Sequence, residues 1–112
     1  MNVKEYIQSW ADSYKKDLTE NIMPFWMEHG WDRENGGVYT CVNRDGSLMD
    51  STKSVWFQGR FAFICAFAYN NVEKNQMWLD AAKSRLEFIE KLGFDEKGQM
   101  FFSVTAAGQP LR

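Results

Sequence analysis

Arg60 is the residue whose type and surroundings most ask for a chemical explanation. It heads the run Phe61-Ala-Phe-Ile-Cys-Ala-Phe-Ala-Tyr69, and a cation set among apolar residues needs a designated partner. A guanidinium stays charged and offers paired donors in one plane, which suits it to gripping an oxygen that carries or develops negative charge. A structural salt bridge would use the same properties, so the residue type alone leaves both uses open. Trp56 lies one helical turn before Arg60, and Lys53 about one turn earlier still. On a continuous helix the three share a face. Lys53 could meet a ligand there or pair with Asp50. Gln58 projects roughly opposite Trp56, where it could tie neighbouring helices together, and Gly59 would allow close packing.

The other reactive residue types are sparse. His29 is the single histidine, so neither a histidine-built metal site nor a pair of histidine acid–base groups can come from this chain alone. Its place at the end of the first helix reads as a loop or surface histidine. Cys41 and Cys65 have no metal-ligand spacing and read as reduced, buried and inert. Net charge is -2 with basic residues scattered, which leaves no electrostatic footprint for nucleic acid. No apolar run has the length of a membrane span, and the opening MNVKEYIQSW lacks the apolar middle of a signal peptide. The expected location is the cytoplasm.

The elements that must position these residues follow from periodicity. Val3, Ile7, Trp10, Tyr14, Leu18 and Ile22, with Phe25 or Trp26, recur at intervals of three and four, the stripe of an amphipathic helix. Pro24 should kink its last turn or open a new short one, and the helix should be over by Gly30. Val38–Val42 is strand-like, Asn43-Arg-Asp-Gly46 is a hairpin turn, and Ser47-Leu-Met should be the return strand. A second helix is expected from about Ser51 to Asn70, apolar nearly all round after Arg60 and therefore buried. A third should run from about Glu73 to Leu92, its apolar positions including Met77, Leu79, Leu86 and Phe88, with Gly93 just past its end.

The hairpin pattern then returns. Gly36, Tyr39, Val42 and Gly46 are matched 62 residues on by Gly98, Phe101, Val104 and Gly108, and Asp32 and Asp95 open the two segments. The repeating unit reads as two antiparallel helices plus a β-hairpin, and units of that kind bury their faces only against neighbours. Eighteen aromatics, 16% of the chain, exceed what a small helical domain needs to bury. The sequence stops at Pro110-Leu-Arg112, where the second return strand should begin. The expectation is a fragment.

Asp50-Ser-Thr-Lys53-Ser-Val-Trp56-Phe-Gln58-Gly59-Arg60 resembles the Asp-x-x-Lys-x-x-Trp-x-Gln-Gly-Arg signature of the N-acylglucosamine 2-epimerase family, also called renin-binding proteins. Phe25-Trp26, Asp32, Gly36-Gly37, the Tyr39-Thr-Cys41 strand, Arg44-Asp-Gly46 and Leu79-Asp-Ala-Ala-Lys83 are similar to that family in order and spacing. The resemblance runs over essentially the whole chain. Cellobiose 2-epimerases and mannose isomerases share a looser form of the Trp-x-Gln-x-Arg helix, so substrate choice is less sharply indicated than family.

The resemblance implies a mostly α fold, part of an (α/α)6 barrel, with residues 1–112 as the amino-terminal segment of its single domain. About three helices and two β-hairpin insertions would be present and the barrel incomplete. Six units of about 62 residues would give roughly 370 residues in all. It also implies inversion at C2 of an N-acylated hexosamine, N-acetylglucosamine to N-acetylmannosamine, by proton removal and return through an enediolate. Arg60 would be the catalytic cation on the carbonyl side of the sugar. Trp56, Lys53 and Gln58 would be substrate-binding candidates, with the indole offering a platform to a sugar's C–H face. Two histidines from later hairpins would move the protons, so the 112-residue chain alone is expected to be inactive. No metal or cofactor is required by that chemistry. ATP activates some relatives without being consumed, and relatives suggest a homodimer. Two other readings compete: a non-catalytic helical fragment that self-associates or binds a protein, and a glycoside hydrolase on the same barrel. The latter would need carboxylate pairs in its pocket, and the Trp56–Arg60 helix supplies none.

Overall fold

The computed structural model describes all 112 residues. Helix α1 spans Val3–Asp17 and opens on a capping box: Asn2 accepts from the Glu5 N–H while the Glu5 carboxylate accepts from the Asn2 N–H. It does not continue as one α-helix to Gly30. A π-helical turn covers Leu18–Ile22, and a separate short helix, α2, runs Met23–His29. Pro24 sits in the first turn of α2, where its missing N–H does no harm. Upstream, the Met23 N–H reaches back to the Leu18 carbonyl, the wider spacing of a π turn.

After Gly30 the chain forms a tight loop, with Asp32 donating to the Gly37 carbonyl and Gly36 to that of Asp32. The expected five-residue strand is shorter. Only Cys41–Val42 (β1) joins Leu48–Asp50 (β2), antiparallel and with an irregular register. Val38 cannot extend the ladder towards β2, because its N–H and C=O are both bonded by the Gln58 amide, at 2.7 Å each.

The second helix also starts later than expected. Lys53–Ser54 (β3) is extended and pairs with Ser103–Val104 (β4), and α3 spans Val55–Asn71 with Ser54 as its cap. The short link Val72–Asn75 leads into α4, Gln76–Leu92, capped by Asn75 and closed at Gly93. The two helices pack on each other. Trp78, Ala81 and Ala82 of α4 meet Phe61, Cys65 and Ala68 of α3, with Met23 and Met27 of α2 and Val38 completing the core. A smaller cluster of Val55, Phe88 and Val104 seals the hairpin end.

The repeat is visible in hydrogen bonds. Asn43 donates to Ser47 and Gly46 to Asn43; 62 residues on, Thr105 donates to Gln109 and Gly108 to Thr105. Gly46 and Gly108 share φ = +94°, a conformation that L side chains rarely adopt. The Tyr39 N–H reaches Gly30 O as the Phe101 N–H reaches Gly93 O.

Several expected burials are overturned. No residue of α1 is buried, so its stripe faces solvent. On α3, Trp56, Phe63 and Phe67 are 53–66% exposed, so that helix has one bare aromatic face rather than being buried all round. Met77, Leu79 and Leu86 of α4 are exposed, while Trp78 and Arg85 are the buried ones. Nothing within the 112 residues packs on these faces. No helix is long and apolar enough to cross a membrane.

Candidate functional site

The N-terminal end of α3 is fixed from three sides. Ser54 caps it through the Phe57 N–H, the Val55 N–H donates to Phe102 O, and β3 is paired to β4. Gln58, fully buried, binds the Val38 backbone with both ends of its amide. It therefore ties the first loop to α3 and has no exposed atom to offer a ligand. The substrate-binding expectation for Gln58 is replaced by that structural role, for which its position opposite Trp56 was the signal.

Lys53 is corrected too. It precedes α3, so it does not share a helical face with Trp56 and Arg60. Its ammonium is fully buried and donates to Asp32 Oδ2 at 2.6 Å, Gly36 O at 2.8 Å and Ala106 O at 2.9 Å. Three donors meet three acceptors, which leaves none for a ligand. The partner is Asp32, not Asp50, whose carboxylate accepts from the Thr52 N–H. Burial pushes the Asp32 carboxyl up, but hydrogen bonds from Lys53 and Asn35 outweigh it and hold the group below its ordinary value. Burial likewise lowers the Lys53 ammonium, against the pull of Asp32. The lowered carboxyl keeps Asp32 ionised at neutral pH, opposite the ammonium it meets at 2.6 Å.

On the opposite face of α3, Trp56 and Arg60 stand together. The guanidinium lies 4.7 Å from the indole centroid, a cation–π contact. Arg60 is exposed and has neither an ion pair nor a hydrogen bond within the chain. It is thus neither embedded in apolar surroundings nor held in a structural salt bridge. The two residues line an open groove of about 480 Å³ whose other walls are Val55, Gly59, Phe63, Ile89 and Met100. This arrangement can offer a flat apolar platform and a planar cation, unclaimed by any carboxylate, to one small polar ligand.

His29 lies against Phe25, ring centroids 5.0 Å apart, and beneath Gly46, where a Cβ would come within 2.6 Å of the imidazole. It is part of the hairpin's packing. Cys65 is buried, its thiol pushed up to about 11 by that burial, whereas Cys41 is only half-buried. Arg85 escaped the sequence reading altogether. It is fully buried beneath the Phe61 ring at 4.7 Å, donates from Nη1 to Ala81 O, and leaves Nε and Nη2 unpartnered. Burial lowers its guanidinium to about 10. The spacing Trp78, Ala81, Ala82, Arg85, Phe88 carries the signal, because a helical stripe passes straight through it.

Residues 37–112 match the family model described as N-acylglucosamine 2-epimerase (GlcNAc 2-epimerase). The chain belongs to the N-acylglucosamine 2-epimerase family. It is 38% identical over 88 residues to the N-acylglucosamine 2-epimerase of Homo sapiens, covering 77% of this chain and 20% of that protein. It is 35% identical over 97 residues to the cellobiose 2-epimerase of Eubacterium cellulosolvens, covering 85% and 24%. The fold matches that of the cellobiose 2-epimerase from Spirochaeta thermophila, with TM-score 0.86 at 22% identity, over 99% of this chain and 27% of that one. The chain thus spans about a fifth to a quarter of the length of these relatives, and its mostly α architecture is a portion of the family's (α/α)6 barrel. The family match starts inside the first hairpin and includes the whole of β3, α3 and α4; the structural match takes in α1 and α2 as well.

Proposed function

We propose that this chain is the amino-terminal portion of a sugar 2-epimerase whose substrate is an N-acylated hexosamine, and that Arg60 and Trp56 are its contribution to the sugar site. The observation that carries this reading is the pairing itself. A free guanidinium stacked on an indole opens onto a groove in a chain that otherwise satisfies its buried Lys53 completely. Inverting C2 requires a proton to leave the carbon beside the opened sugar's carbonyl, so charge develops on that oxygen. A planar cation stabilises it more in the transition state than in the ground state. Trp56 would hold the ring's C–H face. Proton transfer falls to groups outside these residues, because the lone His29 is committed to Phe25 and the turn at Gly46. The similarity to human N-acylglucosamine 2-epimerase favours the acylamino sugar, and the weaker identity to cellobiose 2-epimerases keeps an unsubstituted sugar as the second reading. The proposed location is the cytoplasm.

The test is a hybrid enzyme in which this chain replaces the matched segment of the human relative. Incubated in D2O with N-acetylglucosamine, the hybrid should form N-acetylmannosamine with deuterium at C2. Product without deuterium would exclude proton transfer with solvent exchange. Turnover of cellobiose but not N-acetylglucosamine would select the second reading.

A further inference from the structure

Gly59 lines the groove beside Arg60, and neither backbone nor packing explains why glycine stands there. It lies inside α3, Val55–Asn71, where glycine is the poorest helix former after proline. Its φ is not positive, so the backbone accepts any L residue. The close packing expected of it is also missing. A Cβ at Gly59 would find only Ile89 Cδ1, at 3.8 Å, an ordinary van der Waals contact. Gly37 shows the contrast, since a Cβ there would meet the Gln58 amide at 2.7 Å. The missing side chain at Gly59 instead leaves room. Trp56 stands one turn before it and Phe63 one turn after, both more than half exposed. Between these two rings the helix surface drops to bare backbone, with Ile89 of α4 and Met100 of the second hairpin alongside.

The gap is apolar: five of the groove's seven lining residues are hydrophobic, and Arg60 is the one charged group among them. Its place next to Arg60 says which part of a sugar it meets. With the guanidinium on the carbonyl oxygen at C1, the reacting carbon C2 is the next atom along. The substituent on C2 is then the group beside that oxygen. On an unsubstituted sugar it is a hydroxyl, which loses its water in an apolar gap without gaining a partner. On an acylamino sugar it ends in a methyl, which gains from the same surroundings. Resting on the sugar-site reading, we propose that Gly59 determines specificity. The gap it leaves between Trp56 and Phe63 receives the acyl methyl of the substrate's 2-acylamino group, and a larger residue at this position closes it.

The test gives the hybrid enzyme two substrates that differ by one methyl, N-acetylglucosamine and N-formylglucosamine. The parent hybrid should prefer the acetyl sugar about fourfold in kcat/KM, the effect of burying one methyl. Gly59→Ala puts that methyl on the protein instead. Its kcat/KM for N-acetylglucosamine should fall at least about tenfold, mostly through KM, while that for N-formylglucosamine changes by less than about twofold, so the preference inverts. The Tm of the hybrid should hold or rise, because alanine is the better helix former. A Gly59→Ala hybrid that keeps the parent's preference for the acetyl sugar overturns the proposal. So does one that loses both activities alike, or whose Tm falls by more than about 3 °C, since glycine would then serve the packing of a neighbouring element. Each of these results leaves the sugar-site reading standing, because the parent hybrid still epimerises. A folded parent hybrid inactive on both sugars overturns that reading and this inference with it.

Discussion

Replacing Lys53 by Met should be among the most damaging single changes in this protein. The ammonium has three acceptors within 2.9 Å and links the first loop, through Asp32 and Gly36, to the second hairpin through Ala106. Met fills much the same volume, so the loss is electrostatic rather than a cavity. Its main cost is a buried Asp32 carboxylate left without its cation. Breaking such a pair from one side costs about 3–5 kcal/mol. Asp32 keeps the N–H groups of Glu34 and Asn35 and the Asn35 side chain, which places Lys53→Met at the lower end, about 3 kcal/mol. For a domain of this size that corresponds to a fall in Tm of about 15 °C, read by far-ultraviolet circular dichroism with urea unfolding in parallel. Adding Asp32→Asn should recover about half the loss by removing the stranded charge. The exposed Lys83–Glu87 pair, at 4.0 Å, is the control; Lys83→Ala should change stability by less than about 0.5 kcal/mol. A Lys53→Met loss below about 1 kcal/mol would refute the reasoning.

Asp32 also sets an acid limb. Its folded-state carboxyl titrates below its ordinary value, so its stabilisation is fully present above about pH 4 and is lost as pH falls through the folded-state value. Asp32→Asn should flatten that part of a stability–pH curve, and an unchanged slope would count against an ionised pair. Gln58→Leu leaves the Val38 N–H and C=O unpartnered in the core and should cost about 2–4 kcal/mol. Amide exchange at Val38 would report it directly, and full retained protection would contradict the clamp. Arg85→Met removes a buried cation with two unpartnered nitrogens, and should be neutral or stabilising by about 1–2 kcal/mol in urea unfolding. A comparable loss would mean that the Phe61 contact and the Ala81 bond outweigh desolvation.

The α3–α4 hairpin and the two β-turns were legible because their signals are local: helical spacing, Asn and Gly at the ends, and Asp-Gly in the first turn. The 62-residue repeat was legible for the same reason, since Gly46 and Gly108 answer one backbone requirement. What escaped was set by contacts distant in sequence. Periodicity extends a helix back through Lys53, and only pairing of Lys53–Ser54 with Ser103–Val104 shows why the chain is extended there. Asp50 is the nearer carboxylate in sequence, yet Asp32 takes the lysine because the loop turning at Gly36 and Gly37 folds back over it. Gln58 and Lys53 belong to the same recognised motif as Arg60, but a motif does not separate residues that build a site from residues that face it. Burial separates them here: Lys53 and Gln58 are fully buried, while Trp56 is 62% exposed beside Arg60, which is why only the latter two are proposed for the sugar.

The most direct test of the sugar-site reading is the turnover of the hybrid enzyme bearing Arg60→Ala. With the fold unchanged, kcat should fall by about a hundredfold or more, the effect of losing one oxyanion donor, while Lys83→Ala in the same hybrid leaves it alone. An Arg60→Ala hybrid that epimerises N-acetylglucosamine at nearly the parent rate would contradict the claim that this guanidinium takes part in the reaction.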